Sequence, residues 1–204
     1  EPSLEEIAAN SPHPKSFQIY VRGDDEWIKA LARRAVNAGY KSITLTVDSS
    51  FYGNRERLSP TQLALRNVPE RDFQKGITWD TVKMVQDTIG DVPFIVKGIM
   101  TAEDAAVAVE HQVDCIYISN HGGRQLDCGE STIHPMSRIA AKYGDQTTIM
   151  MDSGIRTGPD IANTMASGAH FSFLGRSFMY GVGALGDQGG DHTIAMLKMQ
   201  LQQV

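Results

Sequence analysis

The chain has 204 residues, of which 41% are hydrophobic and 21% are charged, and its formal net charge is −5. This composition is typical of a globular domain large enough to bury a core, and the acidic balance argues against a nucleic-acid partner. Two cysteines, Cys115 and Cys128, provide neither a disulfide framework nor a Cys-x-x-Cys metal pair, which fits an intracellular, cytoplasmic location. No apolar run approaches the ~20 residues of a membrane span.

Short apolar, β-rich runs alternate with amphipathic stretches along the whole chain. The predicted strands are 17–21, 42–47, 93–97, 114–119, 147–151 and 170–174. The helices with the clearest start or stop signals are 24–38, 78–90, 101–109 and 159–168. This alternation predicts a parallel sheet that is covered by helices.

Polar residues follow the carboxyl end of nearly every predicted strand, and their distribution selects between two architectures. They are Tyr20, Asp48, Lys97, His121, Asp152 and Arg176. An open doubly wound sheet gathers its ligand groups at one switch point, whereas a barrel draws them from many strands onto one face. We therefore predict an α/β fold of the (β/α)8 TIM-barrel type, with six of its strands in this chain.

The most specific motif is Ser-Asn-His-Gly-Gly-Arg-Gln-Leu-Asp at residues 119–127, directly after an apolar run. Its two glycines allow a sharp backbone turn with no Cβ in the way of a flat ligand. His121 offers a general base and Arg124 a fixed positive charge, which together suit a substrate with a proton to lose and a carboxylate to hold. The alternative is a polar loop at a strand end in another kind of α/β protein.

The motif resembles the active-site signature of the FMN-dependent 2-hydroxy-acid oxidases and dehydrogenases, which include glycolate oxidase, lactate oxidase, flavin lactate dehydrogenases and mandelate dehydrogenase. The resemblance extends over essentially the whole chain apart from about 57–75. It implies that the six strands are strands three to eight of the barrel. We expect residues 1–204 to form a single FMN-binding domain that lacks the N-terminal strands and the closing C-terminal helices of the family.

The resemblance also implies roles at the substrate. His121 is the catalytic base, and Asp48 orients it and stabilises its protonated form. Tyr20 offers its hydroxyl to the substrate. Arg124 and Arg55 bind the substrate carboxylate, although the stretch after Arg55 is shorter than in the family.

The remaining matched residues are implied to bind FMN. Gln18 and Thr46 contact the flavin ring, and Lys97 places a cation near its pyrimidine end. The loops after the last two strands are where barrels commonly bind a phosphate. The further residues of the cofactor set are Ser119, Asp152, Ser153, Gly154, Arg156, Gly175 and Arg176.

The activity implied is oxidation of an L-2-hydroxy acid to the 2-oxo acid, with electrons passing to FMN and then to oxygen, a quinone or a cytochrome. The expected assembly is a homotetramer. Whether the base removes the α-proton or the hydroxyl proton is open. One alternative is a membrane-associated, quinone-linked dehydrogenase of the lactate or mandelate type, in which residues 55–75 contact the membrane surface. Another is a flavin- or phosphate-binding barrel without redox turnover.

Two further patterns are interpreted as structural. Residues 181–186 fit G-x-G-x-x-G but do not open a helix directly after a strand, so we expect small residues packing within a helix. Five other histidines share no ligand spacing, and we predict no metal site; they are His13, His111, His134, His170 and His192.

Overall fold

A computed structural model describes residues 2–50, 69–126 and 128–204, so Arg55 and most of the 55–75 stretch lie outside the described residues. One parallel sheet holds six strands in chain order, which is the strand order of a barrel rather than of a doubly wound sheet. The strands are β1 (Ser16–Ile19), β2 (Ser42–Thr46), β3 (Phe94–Ile99), β4 (Cys115–Ile118), β5 (Thr148–Met151) and β6 (Phe171–Ser172).

Helices follow the strands as the alternation predicted. They are α1 (Leu4–Ala9), α2 (Asp25–Asn37), α3 (Trp79–Ile89), α4 (Ala102–Glu110), α5 (Ile133–Tyr143), α6 (Gly158–Ala166), α7 (Arg176–Leu185) and α8 (Gly189–Leu201), with 3-10 turns at Pro69–Gly76 and Gly186–Gln188. The predicted starts at Asp24 and Thr101 are confirmed, because each side chain accepts a hydrogen bond from a first-turn N–H, at 2.9 and 3.1 Å.

Alternation along each strand separates two apolar layers. One set of side chains packs between the sheet and the helices, and Ile116 and Ile118 on β4 belong to it. The opposite face carries a smaller cluster that includes Cys115 and Tyr117. Burial raises the pKa of the Cys115 thiol to about 12, so this residue acts as a small apolar side chain, as the sequence predicted.

The last strand is shorter than predicted. Only Phe171–Ser172 has strand geometry, although the backbone N–H of Phe173 still donates to Met151 at 2.9 Å. In the described part of the chain, β6 pairs with β5 alone, and one neighbour gives fewer ladder hydrogen bonds than two.

The interpretation of residues 181–186 is confirmed. They lie within and just after α7, and a Cβ on Gly181 would overlap the backbone of Gly189 at the start of α8. Because Gly181 and Gly189 have no side chain, α7 and α8 can approach each other closely. None of the described helices is both long and apolar enough to span a bilayer.

Candidate active site

The carboxyl ends of the strands surround a cavity of about 300 Å³. The predicted site residues on its wall are Gln18, Tyr20, Lys97, His121, Arg124, Asp152, Ser153, Gly154, Arg156, Gly175 and Arg176. Three others, Thr46, Asp48 and Ser119, lie behind this wall and bond to residues on it. The structure therefore brings together every predicted site residue that it describes.

His121 lies between a carboxylate and a phenol. Its Nδ1 is 2.9 Å from both carboxylate oxygens of Asp48, and its Nε2 is 2.5 Å from the hydroxyl of Tyr20. An ionised carboxylate only accepts hydrogen bonds, so Nδ1 carries the proton and Nε2 of the neutral ring accepts from Tyr20. The His121 and Asp48 side chains are only 18% and 10% exposed, which strengthens this interaction.

Asp48 has room because its neighbour on β3 is a glycine. Gly98 has φ +114°, and a Cβ there would lie 2.6 Å from the Asp48 Cβ. Ser49 donates to Asp48 at 3.4 Å, and the buried Gln125 donates to Ser49 at 3.3 Å. These three neighbours were not predicted, since contacts between β2, β3 and the loop after β4 have no local sequence signal.

The loop after β4 is held in an unusual backbone conformation. His121, Gly122 and Gly123 have φ of 59°, 70° and 72° in succession. Arg176 donates to the Gly122 carbonyl at 3.2 Å, and a Cβ on Gly122 would overlap its guanidinium. A left-handed histidine is uncommon, and such strain often accompanies a functional site. The conformation directs the imidazole towards Asp48 and Tyr20.

Lys97 provides a buried cation on the cavity wall. It is 4% exposed, and its Nζ donates to Ser119 at 2.9 Å and lies 3.4 Å from Asp152 Oδ2. Next to it, Gln18 donates to Thr46 at 2.7 Å. A buried charge requires a paired or hydrogen-bonded environment, and Lys97 has both.

The far end of the cavity is suited to an anion. Helix α7 begins here after Gly175, and among the described residues no N-cap side chain bonds to its first N–H groups. Arg156 and Arg176 line the same corner, and Gly154 has φ +84°. A helix N-terminus beside two guanidinium groups is an arrangement that favours binding of an anion such as phosphate. The residues present therefore fit a phosphate-bearing cofactor such as FMN.

Sequence reasoning missed part of the cavity wall. The additional lining side chains are Tyr117, Ile155, Phe173, Leu174 and Met179. Among the described residues, no group of three or more His, Cys, Asp or Glu side chains is placed to hold a metal ion.

The chain belongs to the FMN-dependent dehydrogenase family, whose sequence model matches residues 1–72 and 58–204. It is 33% identical over 220 residues to 2-hydroxyacid oxidase 2 of Rattus norvegicus, and 34% identical over 229 residues to L-lactate oxidase of Nostoc sp.. Each alignment covers 98% of this chain and 62% of the relative. A mandelate oxidase mutant with the monooxide FMN adduct superposes with a TM-score of 0.84 at 33% identity, covering 98% of this chain and 60% of that one.

The predictions of the family and of the barrel fold are thus confirmed. The chain spans a little over three fifths of the length of these relatives.

Proposed function

We propose that this protein uses FMN to oxidise an L-2-hydroxy acid to the corresponding 2-oxo acid. The observation that carries the proposal is His121, bonded to Asp48 and Tyr20, on the wall of a cavity that Arg124 also lines. Membership of the FMN-dependent dehydrogenase family supports the cofactor. When bound, FMN supplies the acceptor for the two electrons that leave the substrate.

His121 is the proposed base. The substrate loses two protons and two electrons. Nε2 of His121 takes one proton, and the two electrons together with the other proton would be accepted by bound FMN. Asp48 keeps Nδ1 protonated and stabilises the imidazolium that results. The hydroxyl of Tyr20 lies 2.5 Å from Nε2, and it would contact the substrate oxygen as the proton moves. The same geometry serves removal of the α-proton or of the hydroxyl proton.

Arg124 is the proposed anchor for the substrate carboxylate, together with Arg55. Arg124 is exposed on the cavity wall, and its planar fork matches the two oxygens of a carboxylate. An anchored carboxylate fixes the Cα of the substrate relative to the base, which lowers the entropic part of the barrier.

The proposed cofactor contacts divide into two groups. Gln18 and Lys97 would face the flavin ring, with Thr46 and Ser119 bonded to them from behind, and the buried cation would stabilise negative charge on the reduced ring. The residues after β5 and β6 would hold the ribityl chain and phosphate; they are Asp152, Ser153, Gly154, Arg156, Gly175 and Arg176.

Oxygen is the proposed electron acceptor, because the relatives named above are oxidases. Quinone or cytochrome acceptors are the alternatives. A single FMN-binding domain over residues 1–204 and a homotetrameric assembly stay predictions.

Product formation in air tests this proposal. We expect the full-length protein with FMN to convert L-lactate, glycolate or L-mandelate to its 2-oxo acid with one oxygen consumed for each product. The D isomers serve as controls for lactate and mandelate. If the product forms only when a quinone is added, quinone and not oxygen is the acceptor. If no 2-oxo acid forms with any acceptor, the proposal is contradicted.

A further inference from the structure

Tyr117 is a buried aromatic residue on β4 whose ring forms part of the cavity floor. It is 6% exposed, and its ring stacks on Phe173 with a centroid separation of 4.8 Å and an interplanar angle of 21°. The Nζ of Lys97 lies 5.1 Å from its ring centroid. Tyr117 therefore contacts the buried cation.

The Tyr117 hydroxyl binds the same carboxylate oxygen that faces this cation. It donates to Asp152 Oδ2 at 3.0 Å, and Lys97 Nζ is 3.4 Å from that oxygen. The other oxygen, Oδ1, accepts from Ser153 at 2.8 Å. Burial, and then the negative charge of Asp152, raise the pKa of Tyr117 above its usual range, so the phenol stays a donor. Asp152 Oδ2 is thus shared between a neutral donor and a cation.

We propose that Tyr117 is a positioning residue that acts through Asp152 to set how much positive charge Lys97 presents to the flavin ring; the proposal rests on the FMN site described above. A hydrogen bond from Tyr117 occupies Oδ2 and disperses its negative charge. Without that bond, the carboxylate pairs more fully with Lys97. The potential at the flavin ring then becomes less positive, and negative charge on the ring is less stabilised.

Sulfite is the probe for this charge. It adds through sulfur to N5 of the oxidised flavin, and the electron pair displaced into the ring leaves a negative charge at its pyrimidine end. In the full-length holoprotein, we expect Tyr117→Phe to raise the sulfite dissociation constant roughly fivefold. The midpoint potential of the flavin should shift in the negative direction.

Tyr40→Phe is the matched control. Tyr40 is also 6% exposed, and its hydroxyl donates a hydrogen bond to the Leu4 carbonyl at 3.1 Å, away from the cavity. Both substitutions remove one buried hydroxyl and its hydrogen bond. We expect similar losses of stability in the two variants but unchanged sulfite affinity in Tyr40→Phe. Sulfite affinity in Tyr117→Phe that equals or exceeds that of Tyr40→Phe would overturn the proposal.

A double-mutant cycle tests whether the effect passes through the carboxylate. In an Asp152→Asn background, Tyr117→Phe should not change the sulfite dissociation constant further, because the shared charge is gone. A full fivefold effect in that background would overturn the proposed route. These readouts do not require substrate turnover. If no 2-hydroxy acid reduces the flavin, the proposed function fails while sulfite binding still reports on Tyr117.

Discussion

The two ends of the same parallel sheet both carry polar side chains, but those side chains have different partners. At the amino end, Asp114 accepts a hydrogen bond from the backbone N–H of Phe94 at 2.8 Å, and His170 Nδ1 accepts from the N–H of Ile149 at 2.9 Å. These groups complete the backbone hydrogen bonding where strands begin. Their role is structural.

At the carboxyl end, polar side chains bind one another around a cavity. Asp48 binds His121, and Asp152 lies beside Lys97, so each of these two carboxylates is paired with another titratable group. Cavity size does not separate the two ends, since the amino end borders a cavity of about 580 Å³ and the site one of about 300 Å³. The identity of the bonding partner is therefore the better guide to function.

The two histidines give the largest expected contrast. We expect His121→Gln to retain FMN but to slow flavin reduction by about 10²–10⁴-fold, because the base is lost. His170→Leu should leave the rate unchanged and lower the free energy of unfolding by about 1–3 kcal/mol, because the backbone N–H of the buried Ile149 loses its acceptor. Anaerobic stopped-flow and denaturant unfolding measure these quantities. A His121→Gln variant with the wild-type rate would remove His121 from the mechanism.

Asp48 and Asp114 provide the same comparison between the two ends of the sheet, with a smaller expected effect on the rate of flavin reduction. Asp48→Asn should slow flavin reduction roughly 10²-fold, because an amide neither fixes the Nδ1–H tautomer nor stabilises the imidazolium. Asp114→Asn should reduce stability by about 1 kcal/mol with little change in the rate. Equal rates in the two variants would show that the carboxylate beside His121 is as structural as Asp114.

Arg124→Lys tests the carboxylate anchor. A point charge cannot reproduce a two-pronged guanidinium contact, so we expect the affinity for oxalate, a non-reacting dicarboxylate, to fall about tenfold. Calorimetric titration of the holoprotein measures it. Lys29→Arg on the surface of α2 is a control for charge-conserving exchange, and oxalate binding should be unaffected. Oxalate affinity that Arg124→Lys leaves unchanged would place the carboxylate elsewhere.

Ser49→Ala is expected to have the smallest effect. Ser49 connects Gln125 to Asp48 through contacts of 3.3 and 3.4 Å, which are long for hydrogen bonds. We expect the rate of flavin reduction to fall by about threefold or less. A loss as large as that of Asp48→Asn would mean that Ser49, and not the carboxylate alone, controls the orientation of His121.

Local patterns were enough to predict the order of strands and the start of several helices. The run Cys115–Ile118 is apolar and bounded by polar residues, so it reads as a buried strand, and Thr101 has a side chain that can cap a helix. A parallel barrel then brings the residues after each strand to one face, which is why Tyr20, Asp48 and His121 were expected together.

Contacts that depend on packing between strands were beyond the sequence. In the sequence, Tyr117 is one more residue of an apolar strand. In the structure, it lies on the face of the sheet opposite the helices, and its hydroxyl donates a hydrogen bond to Asp152. A buried tyrosine hydroxyl usually has a partner, and this was the available signal. The need for glycine at position 98 became visible only with the Asp48 side chain beside it. The prediction for Arg55 lies outside the described residues.

The anaerobic absorbance spectrum of the FMN-loaded, full-length protein tests the central claim most directly, because it follows the flavin without any electron acceptor. L-lactate, glycolate and L-mandelate are added in turn, with D-lactate as the control. We predict that at least one of the three bleaches the oxidised flavin bands and that D-lactate does not. In His121→Gln, the same substrate should bleach these bands about 10²–10⁴-fold more slowly. A flavin that stays oxidised with every 2-hydroxy acid would contradict the account and favour a barrel that binds FMN without redox turnover.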